Sequence, residues 1–280
     1  MKIVNSSDIT EAVRDLFIDA NNTLPADAVE LIKASHQKES NTLGKKIIGR
    51  ILENLDTARE INVPICQDTG MAVLFVDIGS DVHIEGNLTN AVNEGVRRAY
   101  IEGYLRCSIV DDPLFHRVNT NDNTPAVIHI NYIDGDKIKL IAAPKGFGSE
   151  NMSAVKMFTP SAVRDDIIKF VVETVYNAGS NPCPPIMVGV GIGGNFEYCA
   201  YLAKKALARP VSERNHSTEY AELEADTLEA INKLRIGPQG FGGDVTAMCV
   251  NIEHYPTHIA GLPVAVNINC HVMRHKEIVI

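Results

Sequence analysis

The alternation of strand-like and helical segments constrains the fold of this chain more than any other feature. After residue 180, the apolar stretch "PPIMVGVGIGG" is typical of a short strand, and the segment "EYCAYLAKKALARP" that follows it has helical spacing. A second helix is predicted over residues 218–234, and "DVTAMCVNIEH" and "LPVAVNINCHV" are again typical of strands. This alternation predicts an α/β fold, and a division into two lobes is compatible with it.

Helices are predicted to open the chain, so that a helical N-terminal part precedes the mixed strands and helices. The segment "SSDITEAVRDLFIDA" offers serines as N-caps and apolar residues at helical spacing. The segment "PADAVELIKASHQ" begins with a proline, which suits a first helical turn, and "LGKKIIGRILENLDTARE" carries one apolar stripe. The loop "PICQDTG" comes next, followed by the buried strand "MAVLFVDIG" and by a helix over residues 88–106.

The middle of the chain contains the clearest local turn signal. Two alternating apolar runs in "AVIHINYIDGDKIKLIAA" are joined through Asp134 and Gly135, so we predict a β-hairpin. The stretch "PKGFGSENMS" is predicted to be a glycine-rich loop, and a helix is predicted over residues 160–177. The sequence has no repeat and no low-complexity linker, so we expect one domain over residues 1–280.

The charge balance and the hydropathy pattern argue against two broad classes of partner. The 26 lysines and arginines against 35 acidic residues give a net charge of −9, whereas a nucleic-acid-binding surface needs a basic face. No apolar run approaches the ~20 residues that span a bilayer, and the polar N-terminus lacks the apolar centre of a signal peptide. We therefore expect a cytoplasmic protein whose partners include no nucleic acid and no membrane. Cytoplasmic thiols stay reduced, which leaves cysteines as core filler, nucleophiles or metal ligands.

A glycine run after a predicted strand invites a dinucleotide-binding interpretation. The run Gly189, Gly191, Gly193 and Gly194 has the spacing G-x-G-x-G-G, whereas the fingerprint is G-x-G-x-x-G. The position ~20 residues further on, where an acidic ribose contact should end a second strand, falls instead in a predicted helix start. The run is therefore interpreted as a tight strand-to-helix turn.

Four histidines cluster late in the chain, which makes a zinc site conceivable. His254 and His258 flank a proline in "EHYPTHIA", and His271 and His275 lie in "CHVMRHKE". The sequence contains neither a C-x-x-C nor an H-E-x-x-H motif, the spacings that zinc sites often show. A structural role is the favoured interpretation for each of these histidines.

The six cysteines differ in their local setting. Cys199 lies in an amphipathic helix and Cys249 in an apolar strand, so both are predicted to be core filler. Cys107 follows Arg106 at a predicted helix end, and its role stays open. The other three lie in loops or at strand ends beside proline or polar residues: Cys66 ("PICQD"), Cys183 ("NPCPP") and Cys270 ("NINCH"). Three thiolates suit an iron–sulfur cluster with one iron left unligated by protein, although spacing alone does not decide this.

Several longer motifs resemble one known family. The stretches "PICQDTG", "GFGSENMS", "NPCPPIMVGVGIGG", "IGPQGFGGDVTAMCVNIEHYPTHIA" and "PVAVNINCHVMRH" together resemble the N-terminal domain or α subunit of class I, iron–sulfur-dependent fumarate hydratases. The similarity covers most of the chain in the family's order. It implies an iron–sulfur hydro-lyase α-subunit domain with a [4Fe–4S] cluster held by Cys66, Cys183 and Cys270, whose fourth iron binds substrate.

The same resemblance implies roles for polar residues near the cluster. Gln67 and Asp68 would follow the first ligand into the active site, and Asp68 would take part in proton transfer, in a direction that stays open. Arg106 would pair with a substrate carboxylate. Gly148 would offer its backbone to the substrate, and His258 would add a further polar contact.

The resemblance also implies partners. Single-chain members continue into a second domain, whereas this sequence stops soon after the third cysteine, so we expect a separate β subunit and a homo-oligomer of α chains or an α2β2 complex. The substrate is expected to be a small dicarboxylate. The reaction expected first interconverts (S)-malate and fumarate plus water, because "GFGSEN" is more similar to the fumarate branch. Two alternatives stay open: an L-tartrate dehydratase α subunit, and a non-catalytic assembly subunit whose cysteines are structural or bind zinc.

Overall fold

The computed structural model of the chain describes all 280 residues and contains two compact units. The first unit consists of Met1–Pro25, Leu55–Phe147 and Arg274–Ile280, and the second consists of Ala26–Asn54 and Gly148–Met273. Each unit combines helices with a four-stranded sheet, which confirms the predicted mixture of helices and strands. No helix is long and apolar enough to cross a membrane.

Eight α-helices and ten strands follow one another along the chain. The helices are α1 (Ser6–Asn22), α2 (Ala26–Lys38), α3 (Thr42–Ile61), α4 (Leu88–Glu102), α5 (Phe147–Glu150), α6 (Arg164–Ala178), α7 (Phe196–Ala206) and α8 (Thr218–Asn232). The strands are β1 (Lys2–Asn5), β2 (Val73–Gly79), β3 (Val82–Glu85), β4 (Val127–Ile133), β5 (Ile138–Ala142), β6 (Ala154–Phe158), β7 (Ile186–Gly194), β8 (Ala247–Thr257), β9 (Leu262–Asn269) and β10 (Lys276–Val279). The sequence patterns do not predict β1, β3, β6, β10 or the short helix α5.

One detail of the first helix differs from its prediction. The helix α1 already begins at Ser6, so the predicted serine caps are wrong. Asn5 occupies the cap position, and its side chain makes no capping hydrogen bond. The helix is instead stabilised by its buried face, which includes Val13 and Phe17, because tertiary packing supplies most helical stability in proteins.

In the first unit, β2 lies inside the sheet, whose strand order is β10-β5-β2-β4. Nearly all of β2 is buried, and its core is shared with α1 and α4. These two helices pack on one another and contribute Val13, Phe17 and Tyr100 to that core. Gly95 permits their close approach, because a Cβ atom there would lie 2.7 Å from the carbonyl oxygen of Thr10.

The predicted β-hairpin between β4 and β5 is wrong, because these strands do not pair with each other. The strand β2 lies between them, parallel to β4 and antiparallel to β5. The connecting turn crosses the end of β2: the N–H of Gly79 donates to the carbonyl oxygen of Lys137, and the N–H of Ser80 donates to that of Ile133, each at 2.8 Å. The local alternation identifies both strands, but the buried strand β2 takes the hydrogen bonds that a hairpin would have formed.

In the second unit, β7 lies inside the sheet β6-β9-β7-β8, parallel to β8 and antiparallel to β9. Alternate side chains from Ile186 to Ile192 enter a core that α6 and α8 also line. The other face carries glycines, and a Cβ atom at Gly189 would lie only 2.1 Å from the carbonyl oxygen of Ala203 in α7. The glycines therefore allow α7 to lie directly on the strand.

The glycine run ends in the predicted strand-to-helix turn, although the strand continues further through the glycines than expected. Gly193 and Gly194 have φ of +91° and +69°, a region that favours glycine. The side chain of Asn195 then accepts a hydrogen bond from the N–H of Tyr198 at 2.9 Å and caps α7. The run thus turns the chain and seats a helix.

Candidate active site

The first unit holds the loop "PICQDTG", which leads from α3 towards β2, by both of its ends. At its start, the N–H of Ile65 donates to the carbonyl oxygen of Asn21 at 2.9 Å. At its end, the hydroxyl of Tyr100 donates to the carbonyl oxygens of Thr69 and Gly70, at 2.8 and 2.9 Å. Burial raises the pKa of Tyr100, so its phenol stays protonated and remains a donor. The loop is therefore fixed on either side of its cysteine.

The carboxylate of Asp68 is oriented by two backbone amides. One oxygen, Oδ1, accepts from the N–H of Gly70, and the other, Oδ2, accepts from the N–H of Phe147, each at 3.1 Å. Gly146 lies against the same carboxylate, since a Cβ atom there would lie 2.9 Å from Oδ2. The loop that begins "PKGFG" thus meets the loop "PICQDTG" at Asp68. A half-buried carboxylate in a fixed orientation is suited to move a proton.

The remaining predicted residues of this unit lie beside Asp68. The Sγ atom of half-buried Cys66 lies 3.4 Å from Oε1 of Gln67. The hydroxyl of Thr69 accepts from the N–H of Arg106 at 2.9 Å and donates to its carbonyl oxygen at 3.2 Å. This exchange fixes the backbone of Arg106 to the loop while its side chain stays exposed. The first unit therefore brings a thiol, an amide and a carboxylate together and fixes the backbone of Arg106 to the same loop.

The second unit holds the other two predicted ligands near one another. Cys183 is exposed and has a φ of +54°, and it is followed by Pro184 in a tight loop. Gln239 donates to the carbonyl oxygen of Pro184 twice, from its backbone N–H at 2.7 Å and from Nε2 at 2.8 Å. Nδ1 of His271 lies 3.0 Å from the carbonyl oxygen of Cys183. Cys270, which precedes His271, therefore lies beside the Cys183 loop.

Gly148 and His258 lie at opposite ends of the sheet in this unit. A Cβ atom at Gly148 would lie 3.7 Å from the carbonyl oxygen of Asn181, which belongs to the Cys183 loop. His258 follows the residue that pairs with Gly194, whereas the cysteines lie near Ile186 at the other end of β7. Eight residues of extended strand span about 26 Å. The structure thus brings Gly148 to the Cys183 loop but does not bring His258 there.

Comparison with known proteins assigns the chain to a family. Residues 10–279 match the family model described as fumarate hydratase (Fumerase). This chain belongs to the Fumerase family. It is 42% identical over 269 residues, 94% of each chain, to the putative L(+)-tartrate dehydratase subunit alpha of Methanocaldococcus jannaschii. It is also 33% identical to the L(+)-tartrate dehydratase subunit alpha of Escherichia coli (strain K12), over 97% of this chain and 90% of the relative. These names support a hydro-lyase α subunit.

The cysteines of this Fumerase-family chain fall into two groups. Cys199 and Cys249 are buried, which confirms that they fill the core. Burial raises the pKa of both thiols, to about 11 for Cys249, so they stay protonated and unreactive near neutral pH. Burial also raises the pKa of half-buried Cys107. The other three thiols that the sequence singled out form no disulfide and are exposed or half-buried: Cys66, Cys183 and Cys270.

This donor set fits the chemistry of an iron–sulfur cluster, which requires accessible thiolates. Neither unit gathers three His, Cys, Asp or Glu side chains into a site for a single metal ion. The late histidines have structural contacts instead. The ring of His254 stacks on that of Tyr220 at 4.1 Å, and Nδ1 of His258 accepts from the N–H of Ala260 at 3.1 Å.

Several residues that support the site have no motif that marks them. Asn123 donates from Nδ2 to the carbonyl oxygen of Gly70 at 3.1 Å, and buried Glu39 accepts from the N–H groups of Asp244 and Val245 at about 3 Å. The Glu39 contacts fix the loop that runs from Gln239 to Val245, just before β8. Each contact joins segments that are far apart in the sequence, so no local pattern could have predicted it. Arg274 also supports the site by donating to the carbonyl oxygen of Asp68; it lies in the stretch "PVAVNINCHVMRH", but the resemblance assigns it no role.

Proposed function

We propose that this chain is the α subunit of a two-component iron–sulfur hydro-lyase that interconverts (S)-malate and fumarate plus water. One observation carries the proposal: the loop "PICQDTG" is fixed at both ends and holds Cys66 and Asp68, and its Thr69 binds the backbone of Arg106. A thiol ligand, a proton-transfer group and an anion-binding group are what the dehydration of a hydroxydicarboxylate needs. The resemblance of the surrounding motifs to the class I enzymes supports the same assignment.

The proposed cofactor is a [4Fe–4S] cluster whose ligands are Cys66, Cys183 and Cys270. When bound, it would supply an open iron as a Lewis acid for the hydroxyl and carboxylate oxygens of the substrate. The accessibility of these three thiols supports the assignment, in contrast to the buried pair Cys199 and Cys249.

The residues of the chain would orient the dicarboxylate and move a proton. Arg106 would bind one carboxylate through its exposed guanidinium, which can form two parallel hydrogen bonds. Gln67 and the backbone of Gly148 would contribute further hydrogen bonds. Asp68, held by the amides of Gly70 and Phe147, would exchange a proton with the carbon next to the one that bears the hydroxyl. Fixed orientation of both partners lowers the entropic part of the barrier.

His258 requires a separate proposal, because it lies at the end of β7 away from Cys183. We propose that it contacts the substrate bound by a second α chain, in keeping with the expected oligomer of α chains or α2β2 complex. Complexes assembled from Asp68→Asn and His258→Ala chains should then regain activity that neither variant has alone. No regain on mixing would contradict the shared site.

The first test is metal analysis of the chain purified without oxygen together with its proposed β partner. About four iron and four acid-labile sulfide per chain are expected for a [4Fe–4S] cluster. Asp68→Asn should then lower turnover by about a hundredfold or more while iron content stays constant, because a general acid or base contributes about that factor. Zinc or no metal, together with full activity of the Asp68→Asn complex, would favour the non-catalytic assembly subunit.

L-tartrate is the second candidate substrate, because the relatives in Methanocaldococcus jannaschii and Escherichia coli are named as tartrate dehydratase α subunits. The ratio of kcat/KM for (S)-malate to that for L-tartrate decides between the two. We expect a ratio above one, since "GFGSEN" resembles the fumarate branch. A cytoplasmic location stays a prediction.

A further inference from the structure

Arg274 is a buried cation that lies in the stretch "PVAVNINCHVMRH", but the resemblance assigns it no role. It is 4% exposed, and its guanidinium donates from Nη1 to Oδ1 of Asn21 at 2.9 Å and from Nη2 to the carbonyl oxygen of Asp68. Its Nε atom is buried without a hydrogen-bond partner. Both acceptors are neutral, and burying an arginine without a carboxylate costs free energy. A buried polar group of this kind calls for a specific explanation.

The hydrogen bonds of Arg274 complete a closed path, the circuit, that runs from residue 65 through Asn21 and Arg274 to Asp68. The carbonyl oxygen of Asn21 accepts from the N–H of Ile65, directly before the cysteine. The side chain of the same asparagine accepts from Arg274, which donates to Asp68, two residues after the cysteine. Asn21 is itself fixed, because it is fully buried and its Nδ2 donates to a carbonyl oxygen within α1 at 2.9 Å. Hydrogen bonds therefore tie the chain on both sides of Cys66 to the same residue of α1.

Gly146 packs against two members of this circuit. A Cβ atom at Gly146 would lie 2.9 Å from Oδ2 of Asp68 and 3.5 Å from Nη2 of Arg274. The carboxylate of Asp68 is thus packed against Gly146, while its backbone carbonyl is held by Arg274. Loss of the Arg274 contacts would release the backbone of Asp68, while its carboxylate keeps only the two amide contacts.

We propose that Arg274 is a positioning residue of the site: by bridging Asp68 and Asn21 it fixes the loop that carries Cys66 and Asp68. Its expected effect on turnover rests on the proposed function. Its effect on the loop does not, so the two can be tested separately.

The first experiment measures amide hydrogen exchange in the full-length chain. Arg274→Met should accelerate exchange at least tenfold at the amides of residues 65 and 70, while peptides from β7 keep their protection. Arg274→Lys, which retains the charge but cannot bridge both acceptors in the same way, should give an intermediate rate. Lys276→Met is the matched control: Lys276 lies in the same segment and pairs with Asp19 of α1 at 3.0 Å, outside the circuit. Unchanged exchange in both Arg274 variants would overturn the proposal.

The second experiment separates positioning from stability in the cluster-loaded complex with the β partner. At a temperature well below the unfolding transition, Arg274→Met should lower kcat per cluster about a hundredfold, because small displacements of a catalytic group cost about that factor. KM should change less than threefold, since the contacts of Arg106 remain, and Arg274→Lys should restore part of kcat. An unchanged kcat per cluster would reduce Arg274 to a stabilising residue and overturn the proposal. A wild-type complex without cluster would contradict the proposed function alone, because the exchange result still decides the role of Arg274 in the loop.

Discussion

Removing one oxygen atom from Tyr100 is expected to loosen the whole cysteine loop. The hydroxyl of this 1% exposed side chain serves two carbonyl oxygens, those of Thr69 and Gly70. In Tyr100→Phe, the carbonyl oxygen of Gly70 keeps a second donor, Nδ2 of Asn123 at 3.1 Å. The carbonyl oxygen of Thr69 instead loses its hydrogen bond from the Tyr100 hydroxyl. A buried acceptor left without a partner costs ~1–3 kcal/mol, so we expect a loss of about 2 kcal/mol in the free energy of unfolding.

The assay is urea denaturation of the full chain, followed by circular dichroism. With m of ~2–3 kcal/mol/M, a loss of about 2 kcal/mol lowers the urea midpoint by roughly 0.7–1 M. Tyr132→Phe is the matched control, because Tyr132 lies in the same unit but is 81% exposed, and its midpoint should stay within the ~0.5 kcal/mol of ordinary surface substitutions. A Tyr100→Phe midpoint equal to that of the control would refute the reasoning that the phenol anchors the loop.

Two further predictions concern the second unit. Gly189→Ala should destabilise the chain by ~1–3 kcal/mol, because its methyl group would collide with the backbone of α7. The control Gly261→Ala should unfold like the wild type, because a methyl group there meets no atom within 4 Å. Equal stabilities of the two variants would contradict the close packing of α7 on β7. In the metal-free chain at pH 8, iodoacetamide should label exposed Cys183 rapidly and spare Cys249, because a thiol with a pKa raised to about 11 is almost wholly protonated three units lower, and labelling of Cys249 should appear only as the pH approaches 11. Peptide mapping by mass spectrometry checks this order, and equal labelling of the two thiols at pH 8 would contradict it.

Local patterns predict the elements of this fold better than their pairing. The alternation on either side of Asp134 and Gly135 identifies β4 and β5 correctly, yet a hairpin does not form because β2 lies between them. The continuous apolar run of β2 marks a strand that is covered on both faces and hydrogen-bonded on both sides. Which strands take those two places depends on chain segments more than 45 residues away, and no local period records that distance.

In the candidate site too, local sequence predicts which residues take part but not how they are arranged. Cys66, Gln67 and Asp68 are adjacent in the sequence, so their chemistry can be predicted from one short stretch. Their fixed geometry comes from elsewhere: Asn21 lies in the last turn of α1, Tyr100 lies in α4, and Arg274 precedes β10. Buried polar side chains of this kind have no periodicity, and only the fold brings them to the loop. For the same reason, the sequence gives no sign that His258 lies at the end of β7 away from Cys183.

The site can lose activity in two different ways, because its reactive groups and the residues that orient them come from different parts of the chain. A change in the motif itself, such as loss of Cys66, should remove a ligand outright. A change in Asn21, Tyr100 or Arg274 leaves every proposed ligand and substrate contact in place and alters only how firmly the loop holds them. Such variants should keep the donor set but lose turnover per cluster, because catalysis requires the oriented carboxylate as well as its presence. Burying Arg274 costs free energy, and a well-packed apolar side chain would serve stability at least as well. The proposed role explains this placement, because Arg274 fixes the position of the Asp68 backbone.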